Sequence, residues 1–356
     1  MPKLPKYGKI TKDFFDRVIY PNLGTSRGEV LVGPSPGVDT CVVSVGRNSG
    51  KVVVATTDPI SYIPELGARD SAWLSVNLIA SDLVTSGFAP QFALFDLNLP
   101  PTMKSSNFEK YWDALSRECE KLGIAIIGGH TGHFDGLNST VIGAGVMFSV
   151  GREDRYLTSA GGKIGDEVVV TKGAAIATTG ILARVYPDLI EKKMGGEGLE
   201  RSRKYFQRTT VVKDALTTVK VGVRTAGITA MHDATEGGVL SALYELANAS
   251  SAGLRVDLSK IPVSLETETI CGIFKIDPFI SLSEGSLIFS CRPSKTQKAL
   301  STLRSSGIKA VVVGELVEPE YGIASIDANG RETPIKYPVI DPYWNAYYLA
   351  KQRNWA

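Results

Sequence analysis

The residues of this chain that could do chemistry are few and unevenly placed. Two of its three histidines fall in Ile126–His133, written IIGGHTGH, and the third, His232, precedes Asp233 in MHDATEGG. Three aspartates, Asp39, Asp58 and Asp82, stand where apolar runs begin or end, with Asp70 behind them. Carboxylates at element ends suit a hard divalent cation such as Mg²⁺, which takes oxygen ligands and commonly shares them with phosphate. Each aspartate alone serves equally as a turn or helix cap. His130 and His133 admit three readings: half of a zinc site, members of a glycine turn whose N–H groups cradle phosphate, or hydrogen-bonded loop residues. His232 reads either as a satisfied buried histidine or as a site residue.

The elements that must position these groups follow from hydrophobic period. A Pro/Gly turn over Gly33–Gly37 delivers Asp39 to the strand Cys41–Val45, and KVVVATT is a strand expected to end at Asp58. A helix is expected from a cap at Asp70 through Ser86, with Trp73, Val76, Ala80, Leu83 and Val84 on one face and Asn77, Ser81 and Asp82 on another. In its last turn Asp82 opposes the helix dipole, which favours a cation partner. The strand Gln91–Leu99, a helix capped by Asn107 and a strand Ile124–Ile127 then lead into the glycine stretch, expected to be a turn.

After a polar stretch at 151–165 the pattern restarts, with a surface loop expected over residues 191–204 and a helix near Val211–Thr225. The aromatic-rich tail is expected to form a terminal helix. This gives an N-terminal arm (1–28), two α+β domains (29–155 and 156–338) and a tail (339–356).

Composition narrows the function classes. Formal charge is +2, from 39 basic and 37 acidic residues, which implies neither nucleic acid nor an anionic membrane as partner. Four scattered cysteines without CxxC spacing, and an N-terminus without an apolar segment, suit a cytoplasmic protein. GxxxxGK[ST], GxSxG and HExxH motifs are absent, and GAG at Gly143–Gly145 lies inside a strand pattern.

Six stretches in order, GVDTCVV, ATTDP, VNLIASDLVTSGFAP, IIGGHTGH, MHDATEGGVLSALYELANASSAGLRVDLSKIPV and CGIFKIDPFISLSEGSLIF, cover most of residues 33–315. Together they resemble the aminoimidazole ribonucleotide synthase (PurM-like) superfamily, which includes thiamine-monophosphate kinase, selenophosphate synthetase and the hydrogenase expression/formation protein HypE. The second-domain stretches are most similar to the HypE-like branch.

The resemblance implies a two-domain fold whose N-terminal strands pair in a homodimer to form a β-barrel, with ATP and Mg²⁺ between barrel and second domains. It implies Mg²⁺ and phosphate at Asp39, Asp58 and Asp82, nucleotide contacts at Gly37, Thr57, Asp58, Gly128, Gly129, Thr131 and Asp233, and His130 and Glu284 as candidate catalytic groups. The implied activity is ATP-dependent phosphoryl transfer to a small molecule, or ATP-driven activation of a carbonyl, amide or phosphate group. The alternative is a non-catalytic nucleotide-binding protein of a maturation complex.

The chain differs from these relatives in several places. His130 stands where kinase members carry Asp, the lysine of the HypE branch is replaced by Gly132, and Ala234 and Glu236 replace the Pro and Arg of HDPTRGG. The last residues, Arg353-Asn354-Trp355-Ala356, offer no acceptor cysteine, so carbamoyl chemistry on its own tail is not expected. Nor does the N-terminal loop hold the reactive Cys that selenophosphate synthesis would need.

Overall fold

A computed structural model describes residues 9–352 other than 47, 138, 139, 328, 338 and 339. Residues 1–8 of the expected arm, residue 338 at the end of the expected second domain, and residues 339 and 353–356 of the expected tail lie outside the described residues. The first half forms one six-stranded sheet from β1 (Val30–Val32), β2 (Cys41–Ser44), β3 (Lys51–Ser61), β4 (Phe92–Leu99), β5 (Ala125–His133) and β6 (Val141–Arg152), in the order β1-β2-β3-β6-β4-β5. Every pairing is antiparallel except β4 with β5. Helices α1 (Gly67–Val84) and α2 (Ser105–Leu122) accompany it. The sheet is open within one chain, with β1 and β5 as its edges.

The second half contains β7 (Glu167–Thr171), β8 (Ile228–Ala234), β9 (Gly253–Val256), β10 (Ser286–Cys291), β11 (Ala310–Val317), β12 (Ile323–Ile326) and β13 (Glu332–Pro334), ordered β13-β12-β9-β11-β7-β10-β8. Its helices are α3 (Ile176–Val185), α4 (Pro187–Arg203), α5 (Val212–Thr218), α6 (Gly238–Ala249), α7 (Leu265–Phe274), α8 (Pro293–Ser305) and α9 (Pro342–Gln352). Both halves are thus mixed α+β, and one apolar core runs from Val54 and Leu83 to Val169 and Phe289, joining the two sheets. Among the described residues no helix is long and apolar enough to cross a membrane.

Several elements depart from the sequence expectations, each for a physical reason. The strand expected to stop at Asp58 continues to Ser61, because β6 pairs with it throughout. On its other flank the pairing with β2 reaches only as far as Ala55, leaving that side of β3 open from Thr56 onward. Pro59, which has no N–H to offer a ladder, is tolerated on such an open flank.

Asn77 and Ser81, expected on a polar face of α1, are buried there as fully as the apolar stripe. Asn77 donates from Nδ2 to Glu118 of α2 (3.0 Å), and Ser81 Oγ accepts the N–H of Val211 beside α5 (3.0 Å). Asp70 is not the cap but sits in the first turn, paired with Arg184 of α3. The expected loop at 191–204 is largely α4, which tolerates its glycines through a kink at Gly195 and buries Ile190 and Leu199. The helix expected over 211–225 ends at Thr218 and continues as short 3-10 turns.

The largest correction concerns Ile126–His133, which is strand and not turn. It forms most of β5, lying parallel to β4 with His130 opposite Asp96. A Cβ on Gly129 would stand 2.0 Å from the Phe95 carbonyl oxygen, so glycine there lets two strands approach closely.

Candidate functional site

The site is built where the open flank of β3 faces β8. Because β2 begins at Cys41 opposite Ala55, the residues just before β2 are delivered to the end of that pairing, bringing Asp39 beside Thr56. The Thr56 hydroxyl reaches both the Asp39 carbonyl (2.9 Å) and Asp82 Oδ2 (3.3 Å), tying the β2 entry, β3 and the last turn of α1 together. From the other sheet, β8 presents consecutive residues to opposite faces, as the strand period requires. His232 faces one cavity and Asp233 the next.

The first cavity, about 530 Å³, is lined by Gly37, Asp39, Thr57, Asp58, Asp82 and His232, among others. The second, about 520 Å³, is lined by Asp58, Asp82, Asp233, Glu236, Glu284 and apolar and aromatic residues. Lys9, Asp58, Asp82 and Thr235 belong to both.

His232 is held at both ring nitrogens: Nδ1 by Asp39 (2.7 Å to Oδ1) and Nε2 by Glu245 of α6 (2.9 Å). Tyr337 donates its hydroxyl to the other Glu245 oxygen at 2.8 Å. Burial works against a charged imidazole here, but the two carboxylates outweigh it and raise the His232 pKa well above the usual value. The Glu245 carboxyl, although buried, is held below its usual range by the same contact. Gly37 makes this possible, since its φ is +77° and a Cβ would fall 2.7 Å from Glu245 Cβ.

Like charges crowd the rest of the site. Burial pushes Asp58 up to about 6, against the pull of Lys9, and pushes Asp233 up to about 7, with Asp39 adding to it. Asp82 is driven well above the carboxylate range by burial and then by Asp233, Asp58 and Asp39. Among the described residues Oδ1 of Asp233 has no hydrogen-bond partner despite its burial, a costly arrangement that a bound cation would relieve.

Ligand atoms of Asp39, His232 and Asp233 lie within 4.8 Å of one another. With both nitrogens of His232 already bonded to carboxylates, the oxygen donors are the fitting ligands, and an all-carboxylate set suits Mg²⁺. The residues therefore fit the metal that the sequence pattern implies.

Two groups were not foreseen in the sequence. Lys9 extends from the arm so that its Nζ donates to Thr235 Oγ1 (2.9 Å) and its N–H to Glu236 Oε2 (2.8 Å). Desolvation of its ammonium by the cavity wall favours the neutral form, although the residue as a whole stays exposed, and Glu245, Asp82, Glu236 and Asp58 prevail and raise its pKa above the usual value. The second is the wall of aromatic residues supplied by α9. Of the expected site residues, Gly37, Asp39, Thr57, Asp58, Asp82, Asp233 and Glu284 line the two cavities. Gly128, Gly129, His130 and Thr131 do not; they lie exposed on β5 and line neither cavity. Among the described residues no third ligand joins His130 and His133.

Residues 37–148 match the N-terminal domain of AIR synthase related proteins, and residues 163–327 match the C-terminal domain. The chain belongs to the AIR synthase related family. Among its relatives is a protein of Methanocaldococcus jannaschii, provisionally named as a hydrogenase expression/formation protein, 26% identical over 345 residues (94% of this chain, 96% of that one). A selenide, water dikinase of Methanococcus maripaludis is 27% identical over 308 residues, covering 82% and 88%. A solved hydrogenase maturation protein HypE in complex with ATP superposes with a TM-score of 0.64 at 18% identity, covering 91% of each chain. The AIR synthase related match covers most of both sheets, without the edge strands β1 and β13, and leaves out Lys9 and α9, the two unforeseen contributors to the cavities.

Proposed function

We propose that this family member uses ATP with Mg²⁺ to phosphorylate a small acceptor, or to activate its carbonyl, amide or phosphate oxygen by phosphorylation. The observation that carries this reading is the pair of cavities meeting at Lys9, Asp58, Asp82 and Thr235. Two substrates that exchange a phosphoryl group need separate chambers with one shared, charge-handling boundary. The nucleotide phosphates belong on the Gly37–Asp39–Thr57 side and the acceptor on the Glu284 side. Support comes from relatives whose names specify ATP-using reactions and from the ATP-bound HypE of the same fold.

Asp39, Asp58, Asp82 and Asp233 would hold the metal, which when bound neutralises charge on the phosphates. Asp39 is fixed by His232, which Glu245 and Tyr337 hold in turn, so its carboxylate is oriented before substrate arrives. The Lys9 ammonium sits at the boundary where negative charge builds up as the γ-phosphoryl bond to ADP breaks and the acceptor bond forms. The acceptor's proton leaves to a nearby carboxylate; Glu284 and Asp233 both face that chamber.

We further place a second copy of the chain against β5. This edge offers a nine-residue unpaired flank with Ile127 54% exposed, a surface that folded proteins normally cover. Residues Gly128, Gly129, His130 and Thr131 would then reach a nucleotide only from the partner, completing the barrel and site in a homodimer.

Calorimetric titration of MgATP into wild type and Asp82→Asn tests the site: binding in the former and loss in the latter are expected, and unchanged binding by Asp82→Asn would overturn it. The relatives' hydrogenase-maturation names favour a second reading, a nucleotide-binding assembly protein. ATP binding without ADP release across an acceptor panel would select it.

A further inference from the structure

The second cavity has a chemical character of its own, supplied largely by a helix outside the family match. Two of the contacts that dock helix α9 lie beside this cavity. Asp341 accepts the N–H of Tyr343 (2.8 Å), capping the helix, and the N–H of Gly237 (2.8 Å), fastening it to the loop after β8. The Trp344 indole N–H donates to Glu236 Oε1 at 3.0 Å. So held, α9 turns Tyr343, Trp344, Tyr347 and Tyr348 to the cavity, opposite Leu74 and Leu78 of α1. Tyr343 stacks on Tyr347 and Trp344 on Tyr348, with centroids 5.9 and 6.3 Å apart, which fixes the rings as a preformed wall.

Opposed to this wall is an acidic floor. Asp58, Asp82, Asp233, Glu236 and Glu284 line the cavity, and among the described lining residues Lys9 is the one cationic side chain. Glu284 is 8% exposed, and among the described residues its Oε2 has no hydrogen-bond partner. Glu236, by contrast, is satisfied by Trp344 and the Lys9 N–H. A buried, unpartnered carboxylate oxygen beside stacked aromatic rings marks a place for a ligand donor. A neutral donor would satisfy the oxygen but not stabilise the ionised carboxylate, which burial, Asp341, Glu236 and Asp233 disfavour. A cation answers both, and aromatic faces attract cations as well.

We propose that this cavity binds an acceptor with a flat or apolar ring and a protonated nitrogen, the ring against Trp344 and its neighbours and the nitrogen toward Glu284. The inference rests on the acceptor-side reading given above, and it excludes acceptors whose ring end carries a carboxylate. The group to be phosphorylated lies toward Asp58 and Asp82.

Three probes of one size separate the possibilities: benzylamine (cationic), benzyl alcohol (neutral) and benzoate (anionic), titrated into the full chain by ligand-observed NMR. Benzylamine should bind at least about tenfold more tightly than the other two, since a hydrogen bond to a buried charge is worth on the order of a tenfold to hundredfold change in affinity. Glu284→Gln should erase that preference, and Trp344→Leu should weaken benzylamine and benzyl alcohol together. Equal binding of the three probes, tighter binding of benzoate, or no binding would overturn the proposal. If Glu284→Gln fails to fold, the probe order in wild type and the Trp344→Leu titration decide. MgATP titrated into the same wild-type sample keeps the two readings apart. Nucleotide binding without cation preference defeats only this inference, whereas cation preference without nucleotide binding defeats only the donor-side assignment.

Discussion

Replacing Asp233 by Asn should stabilise the metal-free protein at neutral to alkaline pH while abolishing its response to Mg²⁺. Burial and Asp39 carry this carboxyl from 3.8 to about 7. Its folded form therefore holds a proton that the unfolded chain has already lost, so stability is greatest below the unfolded value and falls as pH rises through the folded one. At about 1.4 kcal/mol per pKa unit, ionising Asp233 in the folded state costs about 4 kcal/mol by pH 8, an upper bound because its neighbours share the cost.

Asp58 and Asp82, also raised, act in the same direction, and so does His232, whose stabilisation is lost only as pH passes its raised folded value. Urea unfolding in EDTA should show wild type losing stability from about pH 4 to pH 8. Asp233→Asn should be the more stable of the two at pH 8 and equal to it near pH 4. Added Mg²⁺ should restore wild type at pH 8 and leave the variant unmoved. A variant less stable than wild type at pH 8, or a wild type that gains stability as pH rises, would refute the account of crowded carboxylates.

Three other outcomes are expected. Lys9→Met should lower ADP formation on the order of a hundredfold while MgATP affinity changes far less, as when one preorganised donor to developing charge is removed; steady-state kinetics beside calorimetry checks the split. Gly37→Ala should destabilise by about 1–3 kcal/mol and weaken nucleotide binding, because the new methyl meets Glu245 at a positive φ; thermal unfolding and the same titration report it. Ile127→Lys should shift the chain from dimer to monomer in sedimentation velocity, with loss of nucleotide affinity, if β5 meets a second copy.

What the sequence disclosed depended on how local each signal was. Asp39, Asp58 and Asp82 stood out because each borders an apolar run, and the structure brings all three to one place. Glu284 and Asp233 followed from their motifs. The relay from Asp39 through His232 and Glu245 to Tyr337 links three parts of the chain far apart in sequence, and no spacing announces it. Lys9 lies in an arm without periodicity, so neither its depth nor its partners could be read. Gly128 and Gly129 suggested a turn because glycine usually breaks strands; the backbone approach of β4 that requires Gly129 is invisible until the sheet is assembled. Asn77 and Ser81 read as a face apart from the apolar stripe because periodicity within one helix cannot show that α2 and the second half of the chain cover that face.

Glu236 differs from the arginine of the sequence pattern and holds two segments at once. One of its oxygens takes the Lys9 N–H and the other takes the Trp344 indole, which an arginine, having only donors, could not do. Through this side chain the arm over the proposed nucleotide side and the helix walling the proposed acceptor side share one anchor. Whichever substrate arrives first and fixes its segment bears the ordering cost for both, and the other then binds more tightly. Linkage requires the enhancement to be the same whichever substrate is added first. The two substrates should therefore bind synergistically, and Glu236→Ala should leave each cavity able to fill but indifferent to the other.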